Sequence, residues 1–306
     1  MSATEDQITE WFARQRKLRP SDFPIGIGDD MAQVRLDCGG SVLVTTDMLL
    51  DGVHFDLKEA DLEQVGYKAM AAGLSDCAAM ATIPLAAVVS VALPAYFGEK
   101  ELKRLHAGIT SAGDKFNCAL VGGDITSWHS DAPFAITVTM LSRTAGGPPV
   151  KRSGARVGDT ICVTGSLGAA PVRKHLHFEP RVTEAIRLAQ MVTLHSMIDL
   201  SDGLSSDLNR ICRQSSVGAL IEAGQIPISE EARKSHDPVT CALNDGEDFE
   251  LLFTLADTDC RNLLQRWNQP LSITKIGTIT AADKVQIRMA DGRVSDLKPA
   301  GYDHLR

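Results

Sequence analysis

Aspartates in this chain come in short clusters framed by glycine or hydroxyl residues, and several clusters directly follow apolar stretches that read as strands. They are Gly28-Asp29-Asp30, Thr45-Thr46-Asp47, Leu74-Ser75-Asp76, Gly122-Gly123-Asp124, Asp199-Leu200-Ser201-Asp202-Gly203 and Asp245-Gly246-Glu247-Asp248. Carboxylates at strand ends can point into one cleft, so the chain is held to folds whose strand termini converge. Two like charges about 4 Å apart cost on the order of 4 kcal/mol in a partly solvated setting. A cleft built this way calls for cations. Hard divalent ions that take oxygen ligands suit it, Mg²⁺ above all, and Mg²⁺ completes its shell with water and substrate phosphates. Phosphate chemistry is the reaction class indicated. Asp-Gly pairs are also ordinary turn chemistry, but a turn has no use for the adjacent Thr45 and Thr46, which offer further oxygen ligands.

At 306 residues the chain exceeds the size at which one core usually stops growing, so two domains of about 150 residues are expected. A hydrophobic content of 44% with 23% charged residues is ordinary for a globular protein able to bury a full core. The net charge of −8 argues against a nucleic-acid backbone or an anionic membrane as partner. A nucleotide can still bind where metal ions reverse the local sign. The seven cysteines are scattered singly, with no CxxC pair and no histidine at zinc spacing, which reads as reduced thiols of a cytoplasmic protein. The polar, acidic first ten residues lack the pattern of a signal peptide. The longest apolar stretch, 78–97, contains Thr82, Pro84, Ser90 and Pro94. Its prolines bracket a strand-length run, so a buried strand is expected there and no membrane span.

Periodicity predicts a helix near 6–16 with Ile8, Trp11 and Phe12 on one face, a strand at 43–46, and a helix over 62–80 capped by Asp61. A strand at 85–93, a helix at 99–115 and strands at 119–121 and 134–141 follow. Ala145-Gly146-Gly147-Pro148-Pro149 reads as a linker. Beyond it come a strand at 160–164, a helix after Gly168, a helix at 183–194, a strand at 197–198, a helix at 203–213, strands at 219–221 and 249–255, a helix at 257–267 and closing strands through Ile276 and Val285. Strands and helices mix in both halves, giving an α/β class with domains at 1–144 and 150–306.

The common nucleotide motifs are missing: no G-x-x-x-x-G-K-[ST] loop, no H-R-D and D-F-G pair, and no third glycine after Gly26-Ile27-Gly28. Gly165-Ser166-Leu167-Gly168 offers backbone N–H groups to a phosphate at a helix start, or is a structural turn. Arg152, in Lys151-Arg152-Ser153-Gly154-Ala155, can meet a nucleotide phosphate bidentately, or is a solvated linker charge. His54 lies one short loop beyond Asp47 and could reach a substrate phosphate or ring.

The order and wording of these clusters resemble the thiamine-monophosphate kinase family, of the larger group that includes aminoimidazole ribonucleotide synthetase. The matching elements are Gly26 to Ala32, Thr45 to Phe55, Lys68-Ala69 through Met80, Gly122 to Thr126, Arg152 to Ala155, Ile198 to Leu204, Gly246 to Leu251 and Gly301-Tyr302-Asp303-His304. The resemblance implies ATP-dependent phosphorylation of thiamine monophosphate to thiamine diphosphate with several Mg²⁺ ions. It also implies a two-domain fold that forms a homodimer through a barrel of N-terminal domains. By motif, Asp30, Thr45, Thr46, Asp47, Asp76, Asp124, Asp199 and Asp202 would hold metal, with Asp47 and Asp124 central to catalysis. Gly123, Asp124, Arg152 and Ser201 would meet ATP, and His54, Glu247 and Tyr302 the thiamine substrate.

The chain departs from the family pattern at Gly73, where Asn is usual, at Asp245 in place of the first glycine of Gly-Gly-Glu-Asp, and at Pro299-Ala300, where an aromatic often precedes the terminal glycine. Among neighbours in the group, selenophosphate synthesis would need a reactive cysteine near the N-terminus, and none precedes Cys38. Hydrogenase maturation proteins of the group end in cysteine, whereas this chain ends in Leu305-Arg306. Asp51-Gly52-Val53-His54-Phe55 and the terminal Gly-Tyr-Asp-His favour the kinase over aminoimidazole ribonucleotide synthetase. A non-catalytic sensor of Mg-nucleotide remains the reading from a different class.

Overall fold

A computed structural model describes residues 4–15, 18–36, 39–130, 132–168 and 174–305. The helix expected directly after Gly168 falls largely on 169–173, outside the described residues, and a 3-10 turn, Lys174–Leu176, follows.

The first half builds a five-stranded sheet. Its strands are β1 (Ala32–Arg35), β2 (Ser41–Leu50), β3 (Thr82–Leu93), β4 (Ala119–Ser127) and β5 (Ala135–Thr144), in the order β1-β2-β5-β3-β4. All neighbours are antiparallel except β3 and β4. Helices α1 (Glu5–Gln15), α2 (Leu62–Ala79) and α3 (Glu99–Asp114) belong to this half. The second half builds a seven-stranded sheet from β6 (Thr160–Thr164), β7 (Leu194–Asp199), β8 (Gly218–Glu222), β9 (Leu251–Leu255), β10 (Ile273–Thr280), β11 (Val285–Arg288) and β12 (Val294–Asp296). Their order is β12-β11-β8-β10-β6-β9-β7. Four helices accompany it: α4 (Val182–Met191), α5 (Leu204–Ser215), α6 (Pro238–Asn244) and α7 (Asp257–Arg266). The α/β class read from periodicity holds, with mixed sheets.

Helix α2 is the centre of the molecule. Asp61 caps it by accepting from the Glu63 and Gln64 amides, at 2.7 and 3.2 Å, while Gln64 Oε1 accepts from the Asp61 amide at 2.9 Å. Fifteen of its eighteen residues are buried, because it packs on the first sheet with one side and on α3, α4 and β7 with others. A helix enclosed on all sides needs no polar stripe, and its sequence is accordingly rich in Ala, with five among eighteen residues. Small residues set its closest approach. A methyl at Gly66 would collide with the Leu105 carbonyl on α3, and one at Gly108 of α3 with the Glu63 carbonyl on α2. The core around α2 runs without a break from Val138 and Met140 of β5 to Met197 of β7 and Phe253 of β9.

Several boundaries differ from the expectation, and some elements were not expected at all. Strand β4 continues through Gly122-Gly123 to Ser127, since Gly123 lies against the Val89 backbone where no side chain fits. The helix expected to reach 194 stops at Met191, and Leu194 opens β7. The short polar strand β1 and helix α6 carried too few periodic residues to be seen, although Asp237-Pro238 supplies α6 with an N-cap and a proline at its first position.

Helix α1 buries no residue. It is held by Asp6 to Arg210 and Arg213 at 3.2 and 3.0 Å and by Glu10 to Arg213 at 3.1 Å. No described helix is long and apolar enough to cross a membrane.

The contact of α2 with α3 gives a direct test. Overpacking against backbone costs about 1–3 kcal/mol, more than the ~1 kcal/mol alanine gains over glycine in a helix. Gly108→Ala should therefore lower stability by about 1–2 kcal/mol in urea unfolding, whereas Gly147→Ala, with open space around it, should leave the midpoint within experimental error.

Candidate active site

A cavity of about 500 Å³ opens where the two halves meet. At one end the loop before β1 supplies Asp30, β2 supplies Thr45 and Asp47, α2 supplies Asp76, and the end of β7 supplies Asp199. One carboxylate oxygen from each of Asp30, Asp76 and Asp199 lies within 4.8 Å of the others. The Thr45 hydroxyl donates to Asp76 Oδ2 at 2.5 Å and the Ser75 hydroxyl to Asp199 Oδ2 at 2.6 Å. Arg152 donates through its guanidinium to Asp30 Oδ1 at 2.7 Å and through its backbone N–H to Asp29 Oδ1 at 3.1 Å. Asp30 Oδ2 is buried with no hydrogen-bond partner, as is Arg152 Nε.

This crowding shows in the titration of the group. Burial, then the charges of Asp30 and Asp202, push Asp47 up to about 6. Burial and Asp30 push Asp199 up to about 7, with the Ser75 hydroxyl and Arg152 opposing. Asp76 rises well above the carboxylate range through burial and the neighbouring Asp47, Asp199 and Asp30. Asp202, on the turn from β7 into α5, is instead paired with Arg210, which also donates to Asp207 Oδ1 at 2.7 Å. The turn needs Gly203, at φ +108°.

The other end of the cavity is lined by Val53, His54, Asp245, Glu247, Phe249, Tyr302 and His304. His54 Nδ1 accepts from the Leu50 amide at 3.0 Å, which leaves the ring proton on Nε2. Its ring lies 5.1 Å from that of His304, which in turn meets Tyr302 edge-on at 4.7 Å. Beneath them Lys68 of α2 is fully buried. Its ammonium donates to the His54 carbonyl at 2.6 Å and to Glu247 Oε1 at 2.5 Å, and stands 2.7 Å from His175 Nδ1. Burial lowers the Lys68 pKa, and the Glu247 charge opposes that shift. Glu247 and Phe249 both adopt left-handed backbone, φ +51° and +50°. That conformation costs of order 1–3 kcal/mol per residue and is held by the Glu247 amide donating to the Ser201 carbonyl at 2.7 Å and by Phe249 stacking on Phe178 at 3.9 Å.

Asp30, Thr45, Asp47, Asp76, Arg152, Asp199, Ser201, Asp202, His54, Glu247 and Tyr302 all line this one cavity. Thr46 does not turn its side chain there: its hydroxyl lies 3.0 Å from that of Thr139, on the opposite face of the sheet. Gly123 and Asp124 are exposed on edge strand β4. Register runs from Asp47 through Val138 and Val89 to Gly123, three strand spacings or about 14 Å. Asp124 shares its row with Ser90, Thr137 and Met48, on the outer face. Within this chain, then, neither residue reaches the cleft. Four residues of the site escaped sequence reading as individuals: Lys68, His175, Arg210 and His304. A lysine inside the otherwise apolar run 65–74 of α2 was the visible signal for Lys68; the others had none.

The profile of the AIR synthase-related N-terminal domain matches residues 28–144, and that of the AIR synthase-related C-terminal domain matches 156–290. The chain is 36% identical to the thiamine-monophosphate kinase of Rhodopirellula baltica over 96% of its own length and 95% of that protein. It is 31% identical to the thiamine-monophosphate kinase of Bacillus subtilis, over 95% and 96%. Its fold superposes on the solved structure described as AaThiL complexed with AMPPCP and TMP, with TM-score 0.84, 28% identity and 99% of both chains covered. With both domain profiles matched in order and full-length relatives above 30% identity, the chain belongs to the thiamine-monophosphate kinases of the AIR synthase-related family.

Proposed function

We propose that the protein transfers the γ-phosphoryl group of ATP to thiamine monophosphate, yielding thiamine diphosphate, with Mg²⁺ ions held by Asp30, Asp47, Asp76, Asp199 and Asp202. The observation that carries this is the convergence of buried carboxylates on one point with the Asp30 Oδ2 left unpartnered. An all-oxygen set of this kind fits a hard divalent cation. Bound there, Mg²⁺ supplies neutralisation of the β- and γ-phosphates and of the acceptor phosphate.

The chain's own residues do the positioning. Thr45, Ser75 and Arg152 fix the orientation of Asp76, Asp199 and Asp30, so the carboxylates are arranged before any ligand arrives. Arg152, whose Nε–H lacks an acceptor, can offer a donor to a nucleotide phosphate. His54, Tyr302 and His304 form an aromatic wall suited to a flat heterocycle, with Glu247 behind it. The acceptor is a phosphate already ionised at neutral pH, so in-line transfer asks for alignment and charge compensation and requires no general base.

A second copy of the chain completes this reading. Met48, Val121 and Ile125 are 59–64% exposed on and beside the outer face of the first sheet, and β4 leaves an open edge, which a stable protein normally covers. A homodimer through this face would cover that surface, and Gly123 and Asp124 would then serve the partner's cleft.

Mass analysis after incubation with ATP, Mg²⁺ and thiamine monophosphate should show thiamine diphosphate and ADP in equal amounts, with none formed in excess chelator; ADP release independent of thiamine monophosphate would refute the assignment. Asp47→Asn should lower kcat by at least about a hundredfold, in line with losing a charge-neutralising group. Because Asp47 and Asp199 are raised in the fold from 3.8 to about 6 and about 7, the folded state binds more protons than the unfolded chain between those values. Their contribution to stability therefore falls as pH rises from about 4 to about 7. The metal-free Tm should fall over that range, Mg²⁺ should raise Tm more at pH 8 than at pH 5, and Asp47→Asn should raise the metal-free Tm at pH 8. Finally, Asp124→Asn and Asp47→Asn subunits, each inactive alone, should regain activity when mixed, and sedimentation should give a dimer; no recovery on mixing would keep Asp124 out of the partner's site.

A further inference from the structure

The geometry points to Asp245 as a specificity-determining residue of this same site, taking the positively charged ring of a phosphomonoester substrate. The inference rests on the kinase reading above and deepens it. Asp245 lines the same cavity as His54, Glu247 and Tyr302, two residues before Glu247 on the segment that packs against the Ser201-Asp202 turn. Its Oδ2 is buried and has no hydrogen-bond partner, and no ion pair engages it among the described residues. A buried acceptor without a donor is costly and in a native site calls for an explanation.

Position makes the carboxylate still less favourable for the fold alone. Asp245 is the C-cap of α6, with its amide donating to the Cys241 carbonyl at 3.0 Å. A negative group at the carbonyl end of a helix opposes the helix dipole. Burial raises its pKa, and the nearby Cys241 thiol, which donates to the Ser235 hydroxyl at 3.3 Å, only partly opposes this.

Glu247, the other carboxylate at this end, is already engaged. Its Oε1 takes the Lys68 ammonium at 2.5 Å and its Oε2 faces His175 Nδ1 at 3.1 Å. The buried lysine offsets the Glu247 charge, so the uncompensated negative charge at the substrate end belongs to Asp245. The thiazolium of thiamine monophosphate is a permanent cation in a flat ring, which matches an unpaired carboxylate beside an aromatic wall.

The test compares thiamine monophosphate with its 3-deaza isostere, in which a neutral thiophene replaces the thiazolium, on wild type, Asp245→Asn and Asp245→Gly. Both variants should raise KM for thiamine monophosphate on the order of tenfold, as expected for loss of a charged contact. The KM for ATP and the Mg²⁺ activation constant should stay within about twofold. Inhibition by the neutral isostere should be the same in all three proteins. An unchanged KM in Asp245→Asn, equal weakening toward the neutral isostere, or a shift in Mg²⁺ activation in its place would overturn the assignment. Wild type alone gives an independent check: equal affinity for the cationic and neutral compounds would also overturn it. A wild-type enzyme that phosphorylates no thiamine monophosphate would instead refute the function on which the inference rests.

Discussion

Enclosure of α2 on every side is the constraint from which the rest of this molecule follows. The helix lies between the two halves and fills the space that joins their cores, so groups on its flanks are fixed by packing to within the tolerance of a protein interior. Lys68 and Asp76 stand eight residues apart along it, a little over two turns. One reaches the substrate end of the cleft and the other the carboxylate end. A single rigid element thereby sets the span between the two regions that an acceptor and a phosphoryl donor must bridge. Gly66 and Gly108 belong to the same constraint, because without their lack of side chains the helix could not sit close enough to α3.

The cleft is unfavourable by itself, and the fold bears that cost locally. Asp30, Asp47, Asp76 and Asp199 repel one another in a buried setting, and Glu247 is held in a backbone conformation that a side-chain-bearing residue seldom adopts. Both strains are held in place by neighbours that have no freedom to relax: hydroxyls of Thr45 and Ser75, the guanidinium of Arg152, the ammonium of Lys68. Unfavourable terms concentrated at one point are what a preorganised binding site requires.

Much of this was legible in the residues. The helix over 62–79 announced itself through Asp61 and its small apolar residues, and the strand at 160–164 through its apolar run before Gly165. The aspartate clusters announced phosphate chemistry because hydroxyls and glycines accompany them. What the chain could not disclose was which face of the sheet each residue occupies. Thr46 and Asp47 are adjacent in sequence, yet the period of two in a strand sends one to the outer face and the other into the cleft. The same alternation, with three strand spacings added, separates Asp124 from Asp47. Long-range pairings such as Lys68 with Glu247, 179 residues apart, carry no local periodicity at all, and Arg210 looked like any surface arginine of an amphipathic helix.

The manner in which α1 is attached sets it apart from every other helix. Its links to the body run through Asp6 and Glu10 to the arginines of α5 and through the Glu5 amide, which donates to Asp303 Oδ1 at 3.4 Å, with no apolar side chain buried beneath it. Attraction between partly solvated charges is screened over roughly 8–10 Å at physiological ionic strength, while packing of the kind that holds α2 is not. Concentrated electrolyte should therefore loosen this one segment ahead of the remainder. Since Arg210 touches both Asp6 and Asp202, such loosening would be communicated straight to the wall of the cleft.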